Sequence, residues 1–272
     1  MFRGLFKRKR PAEAEPMAAE IPEGCVVWAV GDIHGRLDLL EPLLAEILSD
    51  LDAAPARRKV VVFLGDYVDR GPDSRGVIDR LCSLAEHPSV EAHFLKGNHE
   101  DKLIEFLTDP TVGKAWCEYG GAQALKSFGL TPPTMAHRPE GWAALSADLD
   151  HRLTARQRAF LEALETSVVI GGYFFVHAGA RPEVALGDQT DTDLMWIRET
   201  FLTSDWRFEQ VVVHGHTPAK DVHSDDRRIG VDTGAYASGL LSAVRLEGRT
   251  RETLQAVQDP AGGIALRRQP LA

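Results

Sequence analysis

The 272-residue sequence predicts an α/β fold: a sandwich of two mixed β-sheets flanked by helices, with a helical insert around residues 100–165. Three observations predict it. Apolar runs alternate three times with amphipathic segments between residues 25 and 107, the stretch from about Thr111 to Glu165 carries no comparable strand signal, and β-type runs dominate afterwards. Continuous apolar strands joined by amphipathic crossovers pair in parallel and are covered on both faces. A second sheet stacked on the first accommodates the later strands.

Residues 1–22 are expected to be a disordered tail. They open with the basic "MFRGLFKRKRP" and continue as "PAEAEPMAAEI", which has too little apolar surface to offset the entropy of ordering it. Residues 23–272 are expected to form a single domain. Its first step pairs a β-run at Cys25–Val30 with a helix whose Leu39, Leu40, Leu43, Leu44, Ile47, Leu48 and Leu51 recur at i, i+3 and i+4 spacing. A run at Val60–Leu64 leads to a helix near Gly76–Leu84, and one at Glu91–Leu95 to a helix near Glu100–Leu107. Thr154–Leu164 reads as one helix of the insert. Strands follow at Ser167–Ile170, Tyr173–Val176, Glu209–Val213, Arg228–Val231 and Leu240–Leu246, with one helical stretch near Asp191–Phe201.

Polar residues collect where these runs end. "GDIHG" puts Asp32 and His34 after the first, "FLGDYVDRG" puts Asp66, Asp69 and Arg70 after the second, and "FLKGNHE" puts Asn98, His99 and Glu100 after the third. "YFFVHAG" and "VVVHGHTP" add His177, His214 and His216. Open α/β sheets bind ligands beyond the carboxyl ends of their strands, so these turns converge on one rim. Singly, each has a plain structural explanation: Asp32 as a helix cap, Asp69 and Arg70 as a loop ion pair, Asn98 as a left-handed turn residue. Jointly, carboxylates, imidazoles and an amide recurring at five strand ends fit a metal site, and mixed oxygen and imidazole donors suit Mn, Fe or Zn better than Ca. His214 is expected to support a ligand or the structure, Trp28 to lie in the core, Tyr67 to pack under the site and Asp232 to support a ligand or a turn.

Bulk properties narrow the function. A formal net charge of −9 argues against a general nucleic-acid binder, because nonspecific affinity comes from Lys and Arg contacts to phosphates. Cys25, Cys82 and Cys117 are widely spaced and form no CxxC, so neither a disulfide framework nor a zinc knuckle is indicated, and a cytoplasmic setting is expected. The longest apolar stretch, 168–176, is far short of the roughly 20 residues that span a bilayer, so no transmembrane segment is expected. Phe2, Leu5 and Phe6 beside the basic cluster offer contact with an anionic membrane surface, although a solvated tail is the simpler expectation. A monomer is expected.

"GDIHG", "GDYVDRG", "GNHE", "HAG" and "GHTP" together resemble the successive signature motifs of the phosphoprotein phosphatase branch of the calcineurin-like metallophosphoesterases, over about residues 25–245 and closest to bacterial and phage serine/threonine phosphatases. "AWCEYGGAQAL" and "GVDTGA" are softer similarities. The resemblance implies two divalent metal ions, manganese foremost with iron or zinc as alternatives. Asp32, His34 and Asp66 would hold one, and Asp66, Asn98, His177 and His216 the other, with Asp66 bridging. It also implies that hydroxide shared by the ions attacks phosphorus directly. Arg70 and Arg198, the latter in "LMWIRET", would bind phosphoryl oxygens, and His99, oriented by Asp69, would be the general acid. The substrate implied is phosphoserine or phosphothreonine in a phosphoprotein or phosphopeptide, with phosphotyrosine left open. A symmetrical diadenosine tetraphosphate hydrolase, or another nucleotide phosphatase, is the alternative on the same metal core. Asp69 and Glu100 weigh against it, since such hydrolases usually carry motifs like "GDLVARG" and "GNHD". A noncatalytic binding module is the third reading, disfavoured by the intact ligand set.

Overall fold

The structure is a computed structural model that describes residues 19–131 and 139–271. Strand β1 (Cys25–Val30) pairs in parallel with β2 (Arg58–Phe63), and β2 with β3 (Glu91–Phe94). Helices α1 (Leu37–Ala53), α2 (Ser74–Ala85) and α3 (Asn98–Thr108) follow these strands in turn. Alternation along β1 explains its place between two layers. Val26, Trp28 and Val30 face the helices with Leu39, Leu43 and Ile47, whereas Val27 and Ala29 face the second sheet with Phe175, Val213 and Val231. Trp28 is fully buried, as expected, and its indole N–H donates to Asp50.

The segment after α3 is helical, as expected: α4 (Gly113–Trp116), a π-type turn over Cys117–Gly121, α5 (Ala122–Ser127), α6 (Pro139–Arg152) and α7 (Ala155–Glu162). Thr154 caps α7, with Gln157 reaching back to complete a capping box. The second sheet holds β4 (Ser167–Ile170), β5 (Tyr173–Val176), β6 (Val211–His214), β7 (His223–Ser224) and β8 (Arg228–Gly230), in the order β4-β5-β6-β8-β7. The helical stretch expected near 191–201 is two short helices, α8 (Asp191–Trp196) and α9 (Glu199–Leu202), because the backbone at Arg198 is not helical. Leu194, Ile197 and Phe201 seal the outer face of this sheet against Phe174 and Val176. After α10 (Ala235–Ser238), β9 (Leu240–Glu247) pairs antiparallel with β1.

Two features depart from the sequence reading. The first sheet runs on through β10 (Thr250–Gln258) and β11 (Ile264–Pro270), giving the order β11-β10-β9-β1-β2-β3. β11 is polar and largely exposed, so it carries no apolar period, and backbone pairing with β10 holds it. The packed chain also begins before residue 23: Ile21 is buried, its N–H donates to Gly248, and Glu20 accepts from Gly172. Ile21 docks between two turns, the Ala19 carbonyl accepts from the Tyr173 hydroxyl, and Glu20 pairs with Arg249. The remainder of the expected tail, 1–18, lies outside the described residues. Among the described residues no helix is long and apolar enough to cross a membrane.

Candidate metal centre

Parallel register aligns the ends of β1, β2 and β3, since Val30 pairs with Phe63 and Phe63 with Phe94. The three turns that follow therefore leave the sheet side by side. His34 and Ile33 donate their backbone N–H to the Asp66 carbonyl, which ties the first turn to the second. The second sheet docks onto the same rim. His177 Nδ1 donates to the Leu64 carbonyl at 2.8 Å, and the His216 N–H donates to both carboxylate oxygens of Asp32 at 3.1 and 3.0 Å. Two glycines permit these approaches: a Cβ on Gly97 would collide with the Asp66 carboxylate, and one on Gly215 with that of Asp32.

Five of the six non-glycine residues with positive φ among those described are His34, Asp66, Asp69, Arg70 and His216. Left-handed backbone is disfavoured for such side chains, so strain is concentrated at this rim.

The structure forms two tight donor groups, His34 with Asp66 and His99, and Asp66 with His177 and His216, all buried, so Asp66 is common to both. Asn98 joins the second, its Oδ1 3.0 Å from His177 Nε2. Asp32 belongs to neither group. Its carboxylate is engaged by the His216 backbone, and burial first, then Asp232 and Asp66, push its pKa well up. His99 occupies that place in the first group, with Nε2 3.9 Å from Asp66 Oδ2.

The donor chemistry fits cations. His34 gives Nδ1–H to the Val68 carbonyl at 2.8 Å, so its Nε2 lone pair faces Asp66 Oδ2 at 3.4 Å with no proton between them. Burial drives His34 down to about 3 and His216 down to about 2, keeping both neutral. His177 Nε2 lies 3.2 Å from His216 Nδ1, and His216 Nε2 is buried without a hydrogen-bond partner. Lone pairs crowded against a carboxylate, one of them orphaned, are what a metal ion satisfies. For Asp66 itself, burial opposes the charge, but the surrounding imidazoles, His177 first, hold it below the usual carboxylate range.

Beside this cluster stands an acid–base pair. His99 Nδ1 lies 2.6 Å from Asp69 Oδ2, which also accepts from the Trp116 indole at 2.8 Å. Burial works against an imidazolium at His99, yet Asp66 and then Asp69 outweigh it and raise its pKa. Arg70 Nη2 approaches His99 Nε2 at 3.0 Å, and its guanidinium lies 4.7 Å over the Tyr236 ring. Arg198 is exposed at the mouth, with Nη1 3.4 Å from the Thr217 hydroxyl beside His216.

A search with protein-family models matches the Calcineurin-like phosphoesterase family over residues 25–241. The chain belongs to that family. Members hold a dinuclear divalent-metal centre, and the paired donor groups of this metallophosphoesterase supply one. Relatives include the asymmetrical bis(5'-nucleosyl)-tetraphosphatase PrpE of Oceanobacillus iheyensis, 28% identical over 241 residues that take in 79% of this chain and 86% of that one. PrpE of Bacillus thuringiensis (strain Al Hakam) is also 28% identical, over 79% of this chain and 88% of its own. A cold-active protein-tyrosine phosphatase of a psychrophilic Shewanella superposes with a TM-score of 0.55 at 17% identity, covering 97% of this chain and 89% of that one, which speaks to the fold.

Four residues outside the sequence-derived site set support this metallophosphoesterase centre. Glu100 is fully buried and accepts the N–H groups of Asp66, Tyr67, Val68 and Gly97 at 2.8–3.1 Å. A glutamate at the third position of a helix opened by "GN" is the capping-box signal that marks it. Trp116 sits in the softer "AWCEYGG" similarity, and Asp232 is buried near Asp32, with burial raising it to about 6. Tyr236 carried no sequence signal. Tyr67 packs beneath the site with its hydroxyl on the Leu95 carbonyl, and His214 is a buried structural residue between Gly215 and Arg228, as expected for both.

Proposed function

We propose that this hydrolase cleaves phosphomonoesters of phosphoproteins, at serine and threonine with tyrosine also admitted, using manganese as the preferred metal. Asp32, His34 and Asp66 would hold one ion and Asp66, Asn98, His177 and His216 the other. When bound, such ions supply Lewis-acid charge and lower the pKa of a coordinated water. The observation that carries the reading is the His99–Asp69 contact at 2.6 Å. Serine or threonine leaves as an alkoxide and needs a proton, whereas a nucleotide polyphosphate leaves as a stable anion and needs none.

The hydrogen bonds order the steps. Arg70 can only donate, so His99 Nε2 accepts from it here, and the ring proton sits on Nδ1 toward Asp69. A phosphoryl group draws the guanidinium onto its oxygens, joined by Arg198 from the opposite side. His99 Nε2 is then free to take up a proton from solvent, and Asp69 stabilises the resulting imidazolium. That proton passes to the ester oxygen as its bond to phosphorus breaks.

Hydrolysis of dinucleoside tetraphosphates is the second reading, favoured by the PrpE relatives at 28% identity, which are of the asymmetrical type. Assaying phosphoserine, phosphothreonine and phosphotyrosine peptides beside diadenosine tetraphosphate, with added manganese, separates the two. Phosphopeptide turnover with the higher kcat/KM is the expected result, and a preference for the dinucleotide overturns it. Metal analysis of protein purified without chelator tests the assignment of manganese.

A further inference from the structure

Two of the large apolar side chains left in solvent stand at the metal centre. Trp196, 40% exposed at the end of α8, packs edge-on 6.4 Å from the His216 ring. Tyr236, 39% exposed on α10, packs edge-on 5.3 Å from the His34 ring. His216 and His34 lie in different donor groups, so the two aromatics flank the centre from its two sides. Each also carries a cation over its ring, Lys102 Nζ at 5.7 Å for Trp196 and Arg70 at 4.7 Å for Tyr236.

Both are held in place. Arg36 donates to the Ala235 carbonyl at 2.7 Å and to Gln258 at 2.9 Å, and left-handed glycines at 234 and 239 bracket the short helix that carries Tyr236. The Trp196 peptide is anchored by buried Met195 and Ile197 on either side. Exposed aromatic surface is costly to keep in water, and a rigid pair beside a reactive centre suits a flat, apolar ligand group.

We propose that Trp196 and Tyr236 form an aromatic collar that grips a ring carried directly on the ester oxygen of the substrate, so that an aryl phosphate, phosphotyrosine among them, binds more tightly than an alkyl phosphate. This rests on the phosphomonoesterase reading above. The rings adjoin the metal-binding imidazoles, within reach of a group one bond from the phosphoryl oxygen, whereas a nucleobase stands beyond a ribose. In the reaction water oxygen bonds to phosphorus, the phosphorus–aryloxy bond breaks, and the phenol leaves with the proton from His99.

Nonhydrolysable probes test the collar without requiring turnover. Binding of benzylphosphonate and propylphosphonate, in which CH2 replaces the ester oxygen, to the manganese-loaded full chain is measured by calorimetry for the wild type, Trp196→Ala, Trp196→Phe and Tyr236→Phe. The wild type is expected to favour benzylphosphonate by about tenfold, Trp196→Ala to lose most of that preference with propylphosphonate unchanged, and both Phe variants to keep it. Equal affinity of the wild type for the two probes, or equal weakening of both in Trp196→Ala, overturns the proposal. Dinucleotide preference in the peptide assay defeats the phosphoprotein reading and leaves this binding result to be judged on its own.

Discussion

Two carboxylates, half-buried Asp50 on α1 and buried Asp66 at the rim, are both held below the ordinary range by different means. Asp50 is saturated: Trp28, Arg245 and Arg268 all donate to it, and Arg268 stacks on Trp28. Asp66 takes one backbone N–H from His99 and otherwise faces imidazoles, of which His34 and His216 are kept neutral by burial. A charge with its partners built in serves stability, and one with its partners left out serves binding. The helix-to-sheet seam is of the first kind, whereas the rim is of the second and is paid for in strained backbone.

The largest break in that comparison is expected from Asp66→Asn, which removes the carboxylate common to both donor groups. We expect loss of metal by elemental analysis, and of activity by roughly three orders of magnitude or more, with little change in melting temperature of the apo protein. His99→Asn should keep metal and lower kcat by about 10²–10³-fold for alkyl phosphates but far less for para-nitrophenyl phosphate, whose leaving group needs no proton. Equal slowing of both substrates would remove His99 from the acid role.

Glu100→Gln tests whether the rim has its own structural support. An amide cannot accept all four N–H groups, and its NH2 faces donors, so we expect about 2–4 kcal/mol of destabilisation in denaturant melts and weaker metal retention. Stability unchanged within error would show that Glu100 is not the brace.

Asp50→Asn should cost the least, roughly 1–3 kcal/mol at pH 7 with metal binding intact. Burial opposes its charge, but the hydrogen bonds of Arg245, Arg268 and Trp28 outweigh burial and depress the pKa. A depressed folded-state pKa stabilises the fold above the unfolded value of about 4, and that contribution is lost as pH falls through the folded one. The gap in melting temperature between wild type and variant should therefore close below about pH 4, and a gap that persists there would contradict the linkage.

Most of the architecture was legible because buried strands are apolar and their crossovers amphipathic, so β1 through β6 and α1 through α3 announce themselves. The β10–β11 hairpin was not, because β11 is an exposed polar edge strand with no apolar period, held by backbone pairing and by Arg268. Within the site, Asp66, Asn98, His177 and His216 could be read from strand ends, but the geometry of Asp32 could not. Its role depends on an N–H arriving from the second sheet, which no local pattern encodes. Glu100 and Trp116 act through hydrogen bonds to loops 30 or more residues away, and the motifs that carry them name neither partner.

The bond between Asp32 and His216 spans 184 residues of chain and closes the rim only after both sheets are complete. Ion uptake thus reports on assembly: the turns of the first sheet gather one donor group by themselves, and the other is complete only once His177 and His216 arrive with the second sheet. Retention of the second metal equivalent through dialysis would then mark correct maturation, and loosening of the second sheet alone should release first the ion that His177 and His216 would hold.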